Sequence, residues 1–182
     1  MTVTNSVEKY DPTDNKWMKL RDKPKKSDGA AVVELEGFIY CLGGEVRDEA
    51  TKEVNKMDVM NSQWTPVAPM NVGRTLHAAT RVEGGIIVAG GWNGNDLKSV
   101  ERYDVLTNLW TILPDMNISR WFFQIFLIER MIFTVGGRSH NDKRAQSTIE
   151  KYDAEKRAWM IVQLPGETQF KIYQSIVVMM KN

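Results

Sequence analysis

The side chains that most often perform chemistry in proteins are scarce in this sequence. His77 and His140 are the only imidazoles among 182 residues, and Cys41 is the only thiol. A copper site would need several imidazole and phenolate ligands close together, and these two histidines fall in a predicted strand and a long predicted loop. Cys41 lies inside an apolar run and is predicted to be a small buried hydrophobe. We therefore expect no metal site and no cofactor.

The short motifs of common catalytic sites are also missing. The sequence contains no serine nucleophile elbow, no phosphate-binding glycine loop, no HExxH helix and no paired zinc-cysteine spacing. We therefore predict that the chain is not an enzyme and has no catalytic residues.

Two arginines recur at one fixed position. Arg74 and Arg120 each stand sixteen residues before a pair of glycines, whereas Ser27 takes the equivalent place one repeat earlier. Guanidinium binds carboxylates through two parallel hydrogen bonds, so these arginines are candidates for contacting an acidic partner segment. The alternative is that they brace loop carbonyls or form exposed ion pairs, each contributing only ~0 to 1 kcal/mol.

Two further segments are candidates for partner binding. Trp92, Asn93 and Asn95 follow a glycine pair, and an exposed tryptophan there would be an anchor of the kind enriched at binding hot spots. The alternative, which we favour slightly for Trp92, is packing on a neighbouring repeat. Arg138 and His140 open a basic loop that could meet an acidic peptide, although charged loops are usually just solvated.

The elements that position these residues repeat along the chain. Three glycine pairs follow apolar runs at intervals of 47 and 46 residues: Gly43 and Gly44, Gly90 and Gly91, Gly136 and Gly137. Four further pairs place a tryptophan seven residues after an aromatic or methionine: Tyr10 and Trp17, Met57 and Trp64, Tyr103 and Trp110, Tyr152 and Trp159. This period indicates a repeat architecture, with the tyrosines, tryptophans and glycines in structural roles.

The clearest unit predicts four strands. They cover residues 77–82, 86–89 and 99–103, and the fourth begins at Trp110. The continuous apolar second strand suits a strand that is covered on both faces. Because Tyr103 and Trp110 sit on paired strands at a constant offset, we expect their rings to fill the same gap between blades in each repeat.

Glycine pair, tyrosine and tryptophan at these spacings resemble the kelch superfamily, and residues 74–116 look most like the kelch domains of BTB-kelch proteins. The resemblance implies an all-β, kelch-type β-propeller of four-stranded antiparallel blades. The repeats divide as 1–26 (third and fourth strands only), 27–73, 74–119, 120–168 and 169–182 (a first strand). Either residues 172–178 join the N-terminal strands in a ring of about four blades, or the chain is a partial array.

The resemblance also implies a function. We expect a non-enzymatic protein-binding module, like the substrate-recognition kelch domain of a cullin-RING ubiquitin ligase adaptor, which would reach the cullin only through a BTB region not visible here. An actin-binding cytoskeletal protein is the alternative, and a sugar oxidase or epimerase of kelch fold, or a fragment without function, is less favoured. Loops 45–53, 92–98 and 138–147 and linkers 66–74 and 114–121 are predicted to share the binding face.

The amino-acid composition limits the classes of partner that the chain is expected to bind. The net charge is +1, from 24 basic and 23 acidic side chains, so we expect no binding to nucleic acid or to a membrane. The N-terminus has no signal-peptide pattern, and a single cysteine suits a reducing compartment. We therefore expect a cytoplasmic protein that binds a protein or peptide.

Overall fold

A computed structural model describes residues 4–162 of the chain. The first blade has two strands, β1 (Glu8–Asp11) and β2 (Lys16–Lys19). The second contains β3 (Ala31–Leu35), β4 (Phe38–Leu42), a small hairpin of β5 (Glu45–Val46) and β6 (Glu49–Ala50), then β7 (Val54–Asp58) and β8 (Gln63–Val67). The third contains β9 (Ala78–Val82), β10 (Gly85–Ala89), β11 (Val100–Asp104) and β12 (Leu109–Leu113). The fourth contains β13 (Gln124–Ile128), β14 (Met131–Val135), a 3-10 turn (Lys143–Ser147), β15 (Ile149–Asp153) and β16 (Ala158–Val162).

Three of the blades are antiparallel sheets of four strands. Their orders are β3-β4-β7-β8, β9-β10-β11-β12 and β13-β14-β15-β16, so each blade is a meander of sequential neighbours. The prediction of an all-β, kelch-type propeller built from such blades is confirmed. The strands predicted for residues 74–119 begin and end within one residue of β9, β10 and β11, and the predicted start of the fourth strand lies within one residue of the start of β12. The predicted first strand of the final partial repeat, and with it ring closure, falls outside the described residues.

Burial explains why the second strand of a blade is so apolar. All five residues of β10 are buried, because the strand has hydrogen-bonded neighbours on both edges and packed blades on both faces. By contrast, β3 alternates between exposed and buried positions along its second half. Cys41 lies in β4 and is buried, and this burial raises the pKa of its thiol. A buried thiol with a raised pKa is a packing residue rather than a nucleophile.

The repeated tyrosines and tryptophans face each other across the outer two strands. Tyr103 lies directly opposite Trp110 in the register of β11 and β12, with ring centroids 5.1 Å apart. The Tyr10–Trp17 and Tyr152–Trp159 pairs have centroid distances of 5.3 Å. One local geometry therefore recurs in three blades.

Each repeated tryptophan after the first also ties its blade to the preceding linker. The indole nitrogen of Trp110 donates to the carbonyl of Ala68 at 2.8 Å, and Trp159 donates to that of Pro114 at 3.0 Å. Trp64 donates to a carbonyl of the preceding linker in the same way. The tryptophan spacing thus sets the packing of one blade on the next. In the first blade Trp17 is exposed.

The second blade departs from this pattern at Met57. Met57 is fully buried opposite Trp64, so it keeps the volume of the tyrosine that it replaces. In the third blade the hydroxyl of Tyr103 donates to Asn108 at 2.9 Å, and Asn108 has a left-handed backbone with φ 55°. Ser62 holds the equivalent left-handed position in the second blade. The second blade therefore lacks both members of this hydrogen bond.

The first strands lie along the inner edge of the array. Strands β3, β9 and β13 contact one another in sequence, which places them on the side of the propeller axis. Just before these strands, the amide of Leu76 donates to the carbonyl of Gly29 at 2.8 Å, and the amide of Phe122 donates to that of Leu76 at 3.0 Å. Backbone hydrogen bonds therefore run from blade to blade around the axis. None of the described residues forms a helix long and apolar enough to cross a bilayer.

Candidate partner-binding face

The loops predicted to share one face are joined by backbone hydrogen bonds. The backbone amide of Gly44, in the second blade, donates to the backbone carbonyl of Arg74 at 2.9 Å. In the third blade the backbone amide of Gly91 donates to the backbone carbonyl of Arg120 at 2.8 Å. The loop after each second strand therefore touches the linker that enters the next blade. Gly91 makes this approach possible: its φ is +102°, and a Cβ there would lie 2.6 Å from the carbonyl oxygen of Thr75.

Arg74 lies inside this face rather than on it. Its side chain is 0% exposed, and its guanidinium donates to the carbonyl of Gly90 at 2.7 Å and to Glu101 Oε1 at 2.7 Å. Glu101 also accepts from the backbone and side-chain amides of Asn71 at 2.7 and 2.8 Å. Burial lowers the pKa of Arg74, and the bond to Glu101 opposes that shift.

Arg120 repeats the arrangement in the fourth blade. Its fully buried guanidinium donates to the carbonyl of Gly136 at 2.6 Å and to Glu150 Oε1 at 2.8 Å, while Asn117 donates to Glu150 from its backbone and side chain. This burial corrects the prediction that Arg74 and Arg120 contact a partner. Both guanidinium groups are removed from the surface and are already paired, so they hold the loops together.

The sequence contains a signal for this pairing that the spacing argument missed. Glutamate stands two residues before the tyrosine in the blades that have the arginine, as Glu101 and Glu150. In the second blade Ser27 replaces the arginine, and Asn55 replaces the glutamate at the same time. A joint replacement of this kind is expected when two buried charges neutralise each other, because neither can be buried alone at low cost.

Asp96 organises the exposed part of the face. Its side chain is 0% exposed and accepts hydrogen bonds from Ser139 Oγ at 2.8 Å and from the backbone amide of His140 at 2.6 Å. Its other oxygen lies 2.9 Å from His140 Nδ1. Burial pushes the pKa of Asp96 up, but the hydrogen bonds from His140, Ser139 and Asn141 lower it overall. Asp96 thus anchors the loop of the fourth blade to that of the third.

An aromatic and cationic ladder stands on this anchor. The ring of His140 lies 5.1 Å from that of Trp92 and stacks 5.5 Å from that of Trp121, measured between centroids. The guanidinium of Arg138 sits 5.7 Å from the centroid of Trp121. The two tryptophans are half-buried, whereas Arg138 and His140 are exposed. We call these four residues the ladder.

The remaining predicted contact residues border the ladder. Asn93 and Asn95 are exposed at the tip of the loop that follows Gly91. Trp92 packs against His140 of the neighbouring blade and also lines an open groove of about 420 Å³. Its role as an anchor for a partner stays a prediction. Sequence reasoning did not select Asp96 or Trp121, because nothing in their local sequence marks them.

Charge is distributed unevenly over the face. The groove beside Trp92 is also lined by Glu45, Asp48 and Glu49, and none of these carboxylates makes an ion pair with a described residue. At the other end of the face, Arg138 makes no ion pair within residues 4–162 either. The groove beside Trp92 is therefore acidic, although Lys25, Lys26 and Arg47 line the adjoining groove of the second blade, and the ladder ends in the cation of Arg138, which is unpaired within that range.

The described residues hold no evident metal site. Across residues 4–162, no three histidine, cysteine, aspartate or glutamate side chains are grouped so that they could hold an ion. The two histidines have different surroundings: His140 is exposed on the ladder, while His77 is buried beside Arg74.

Comparison with known proteins agrees with the repeat geometry. Residues 73–117 match the kelch motif. The chain is 34% identical over 96 residues to Kelch-like protein 41a of Danio rerio, and 29% identical over 89 residues to Kelch-like protein 15 of Mus musculus. It is 31% identical over 91 residues to Kelch-like protein 31 of Homo sapiens.

These matches cover about half of this chain and a small part of each relative. The aligned segments are 51%, 49% and 46% of this chain and 16%, 15% and 14% of the three relatives, in the same order. Four-stranded blades, the tyrosine–tryptophan register and the motif matched over residues 73–117 together define kelch-type blades. The chain is built of kelch repeats, in a partial set.

Proposed function

We propose that this chain binds an acidic peptide segment of a partner protein through the ladder, as the substrate-recognition kelch domain of a ubiquitin ligase adaptor would, and without catalysis. The observation that carries the proposal is the position of the Arg138 guanidinium, unpaired within the described residues, over the half-buried ring of Trp121, beside the exposed His140 that Asp96 holds in place. Tryptophan and arginine are the residue types enriched at binding hot spots, and arginine pairs well with carboxylates.

The distribution of charge supports the position of the acidic segment. Carboxylates of a partner would be attracted to Arg138 and repelled by the groove of Glu45, Asp48 and Glu49 beside the second blade. The acidic part of the segment should therefore lie over the fourth blade, with Trp92 between the two regions. Asp96 stabilises the ladder, since four hydrogen bonds to one buried carboxylate limit the motion of the loop.

A peptide experiment tests this proposal. An array of ten-residue peptides with two to four acidic residues, and a matched array with lysine in place of each acid, would be probed with the 182-residue chain. We expect enrichment of acidic peptides, and we expect binding to weaken as salt rises, because an exposed ion pair is screened. For a peptide that binds, Arg138→Ala and Trp92→Ala should each reduce affinity by tenfold or more, the order of a hot-spot loss of about 2 kcal/mol.

Arg81 provides the matched control. It is an exposed arginine on β9 that pairs with Glu34, away from the ladder, so Arg81→Ala should leave peptide affinity unchanged. Equal binding of acidic and lysine arrays, or equal affinities for the Arg138, Trp92 and Arg81 variants, would contradict the proposal. Co-sedimentation with actin filaments that persists in the Arg138 and Trp92 variants would favour a cytoskeletal role through other surfaces.

A further inference from the structure

The outermost strand of the third blade, β12, exposes apolar side chains at a free edge. It ends the strand order β9-β10-β11-β12, so one of its edges has no hydrogen-bonded strand within residues 4–162. Ile112 is 65% exposed and Leu109 is 62% exposed, and none of the five residues of the strand is charged. An uncharged edge strand with exposed apolar side chains is a template for pairing with another strand.

The outer strands of the other blades are blocked, charged or more buried. In β8, Pro66 stands at the place that Ile112 takes in β12, and proline has no amide hydrogen to donate to a further strand. Strand β2 begins with Lys16 and ends with Lys19, and lysine is a residue that protects strand edges. In β16 only Met160 is exposed. Among the outer strands of the described blades, β12 therefore offers the unprotected edge.

The register of the blades shows which backbone amides of β12 face outward. In the first blade the amide of Leu20, three residues after the repeated tryptophan, donates inward to the carbonyl of Val7 at 2.9 Å. Successive amides of a strand point to alternate edges, so the amides of the tryptophan and of the residue two places after it face outward. In β12 these are the amides of Trp110 and Ile112. The proline of β8 agrees with this assignment, because Pro66 then removes no hydrogen bond within its blade.

Strand β12 is complementary to itself about its central residue, Thr111. If two copies pair antiparallel around a twofold axis at Thr111, Trp110 of each copy lies opposite Ile112 of the other, and their outward amides and carbonyls meet. An aromatic and a β-branched residue placed opposite each other stabilise a strand pair. Leu109 falls opposite Leu113 in the same register. All the side chains that meet are therefore uncharged.

We propose that two copies of this chain associate through β12, which joins their third blades into one continuous antiparallel sheet around a twofold axis at Thr111. The occupant is a second copy because the edge matches itself in charge and in apolar surface. The edge of β2 does not, since the same operation would bring Lys16 opposite Lys19, and like charges placed opposite each other are destabilising. The inference goes beyond the proposed function, because it involves the outer edge of a blade and neither the ladder nor a peptide.

Cysteine crosslinking tests both the interface and its register. The two Thr111 residues would form a pair without mutual hydrogen bonds, for which the Cα atoms are about 4.5 Å apart, within the range that a disulfide spans. Thr111→Cys in the 182-residue chain should therefore give a disulfide-linked dimer under mild oxidation, identified by mass spectrometry of the peptide that contains position 111. The native Cys41 is buried and should not be crosslinked.

The second blade provides the matched control for this experiment. Thr65 is also exposed and takes the same place in β8 that Thr111 takes in β12, but it stands next to Pro66. Thr65→Cys should therefore stay monomeric at the same protein concentration and under the same oxidant.

Analytical ultracentrifugation would measure the association without a crosslink. We expect the native chain to show a reversible equilibrium of monomer and dimer. Ile112→Pro copies the second blade, so it should keep the native circular dichroism spectrum and weaken dimerisation by about tenfold or more, because each copy loses a hydrogen-bond donor at the interface. Thr111→Lys leaves the backbone unchanged and should also weaken dimerisation, because it brings two ammonium groups together at the axis.

Three results would each overturn the inference, whatever the outcome of the acidic-peptide experiment. The first is a native chain that stays monomeric at every concentration measured. The second is a dimer that persists in both Ile112→Pro and Thr111→Lys. The third is crosslinking of Thr65→Cys that is as efficient as that of Thr111→Cys.

Discussion

The buried pair of Arg120 and Glu150 allows a quantitative prediction about stability. We would compare Arg120→Ser and Glu150→Asn with the double variant Arg120→Ser/Glu150→Asn. The double variant copies the second blade, where Ser27 and Asn55 occupy these positions. The comparison therefore uses an arrangement that this chain already tolerates.

The structure sets the size of the expected effect. Both side chains are fully buried, and Glu150 accepts four hydrogen bonds, from Arg120 and from the amides of Asn117 and Ile118. Removing one partner leaves the other charge buried and uncompensated, which costs about 3 to 5 kcal/mol. The total free energy of unfolding of a domain is about 5 to 15 kcal/mol, so each single change should severely destabilise the fold.

The double variant should cost less than the sum of the two single variants. It removes both charges together, so no unpaired charge remains in the interior, and contacting residues show coupling of about 0.5 to 3 kcal/mol. Arg120 also donates to the carbonyl of Gly136, and the shorter serine cannot replace that bond, so some loss should persist.

Urea unfolding followed by tryptophan fluorescence would measure these free energies. Arg81→Ser is the control, because Arg81 pairs with Glu34 at 2.8 Å while its side chain is 66% exposed, and such pairs contribute only about 0 to 1 kcal/mol. The reasoning is refuted if Arg120→Ser costs no more than Arg81→Ser, or if the double variant costs as much as the two single variants added.

Three other changes should also alter stability in predictable directions. His77→Phe should stabilise the fold at pH 7, because both ring nitrogens of His77 are buried without a hydrogen-bond partner within residues 4–162, and the fourth blade has Phe123 at the equivalent place. In the unfolded chain histidine binds a proton below its ordinary pKa of 6.5, whereas in the folded chain the pKa of His77 is about 3. Between pH 7 and 4 the free energy of unfolding of the native chain should therefore fall by about 3 kcal/mol more than that of the variant. Urea unfolding at each pH would measure the difference. Met57→Tyr/Ser62→Asn should unfold at a higher urea concentration than Met57→Tyr alone, with a free energy of unfolding greater by about 1 kcal/mol, because the asparagine accepts a hydrogen bond from the tyrosine hydroxyl as Asn108 does from Tyr103. Equal urea midpoints would contradict this. Gly91→Ala should lower the melting temperature in calorimetry, since its φ of +102° disfavours a side chain and its Cβ would meet the Thr75 carbonyl; an unchanged melting temperature would contradict it.

The fold could be predicted from sequence because its signals are local and repeated. A glycine pair ends a strand, and a tyrosine and a tryptophan seven residues apart fall opposite each other in a two-strand register, as Tyr103 and Trp110 do. Repetition supplied the evidence three or four times over, so single departures such as Met57 did not obscure it. The loops between the predicted strands also meet at one end of the blades, as the hydrogen bond from Gly44 to Arg74 shows, and their role in partner binding stays a prediction.

The individual contact residues could not be chosen in this way. Arg74 and Arg120 suggested partner binding because guanidinium suits carboxylates, yet the carboxylates they meet belong to Glu101 and Glu150 of the same chain. A local sequence does not state which charge will be buried. Only the joint replacement by Ser27 and Asn55 in the second blade hinted at an internal pair.

The sequence by itself determined the blades: their number of strands, their period and the residues that pack between them follow from short-range spacing and apolar pattern. The tertiary structure alone decided which side chains remain accessible and what they meet. Asp96 joins Ser139 and His140 across more than forty positions of sequence, and the His77 ring is buried beside Arg74 with its edge against Gly43. Such contacts depend on how blades pack around the axis, and burial, the value of a charge and the pKa of a histidine are set by that packing.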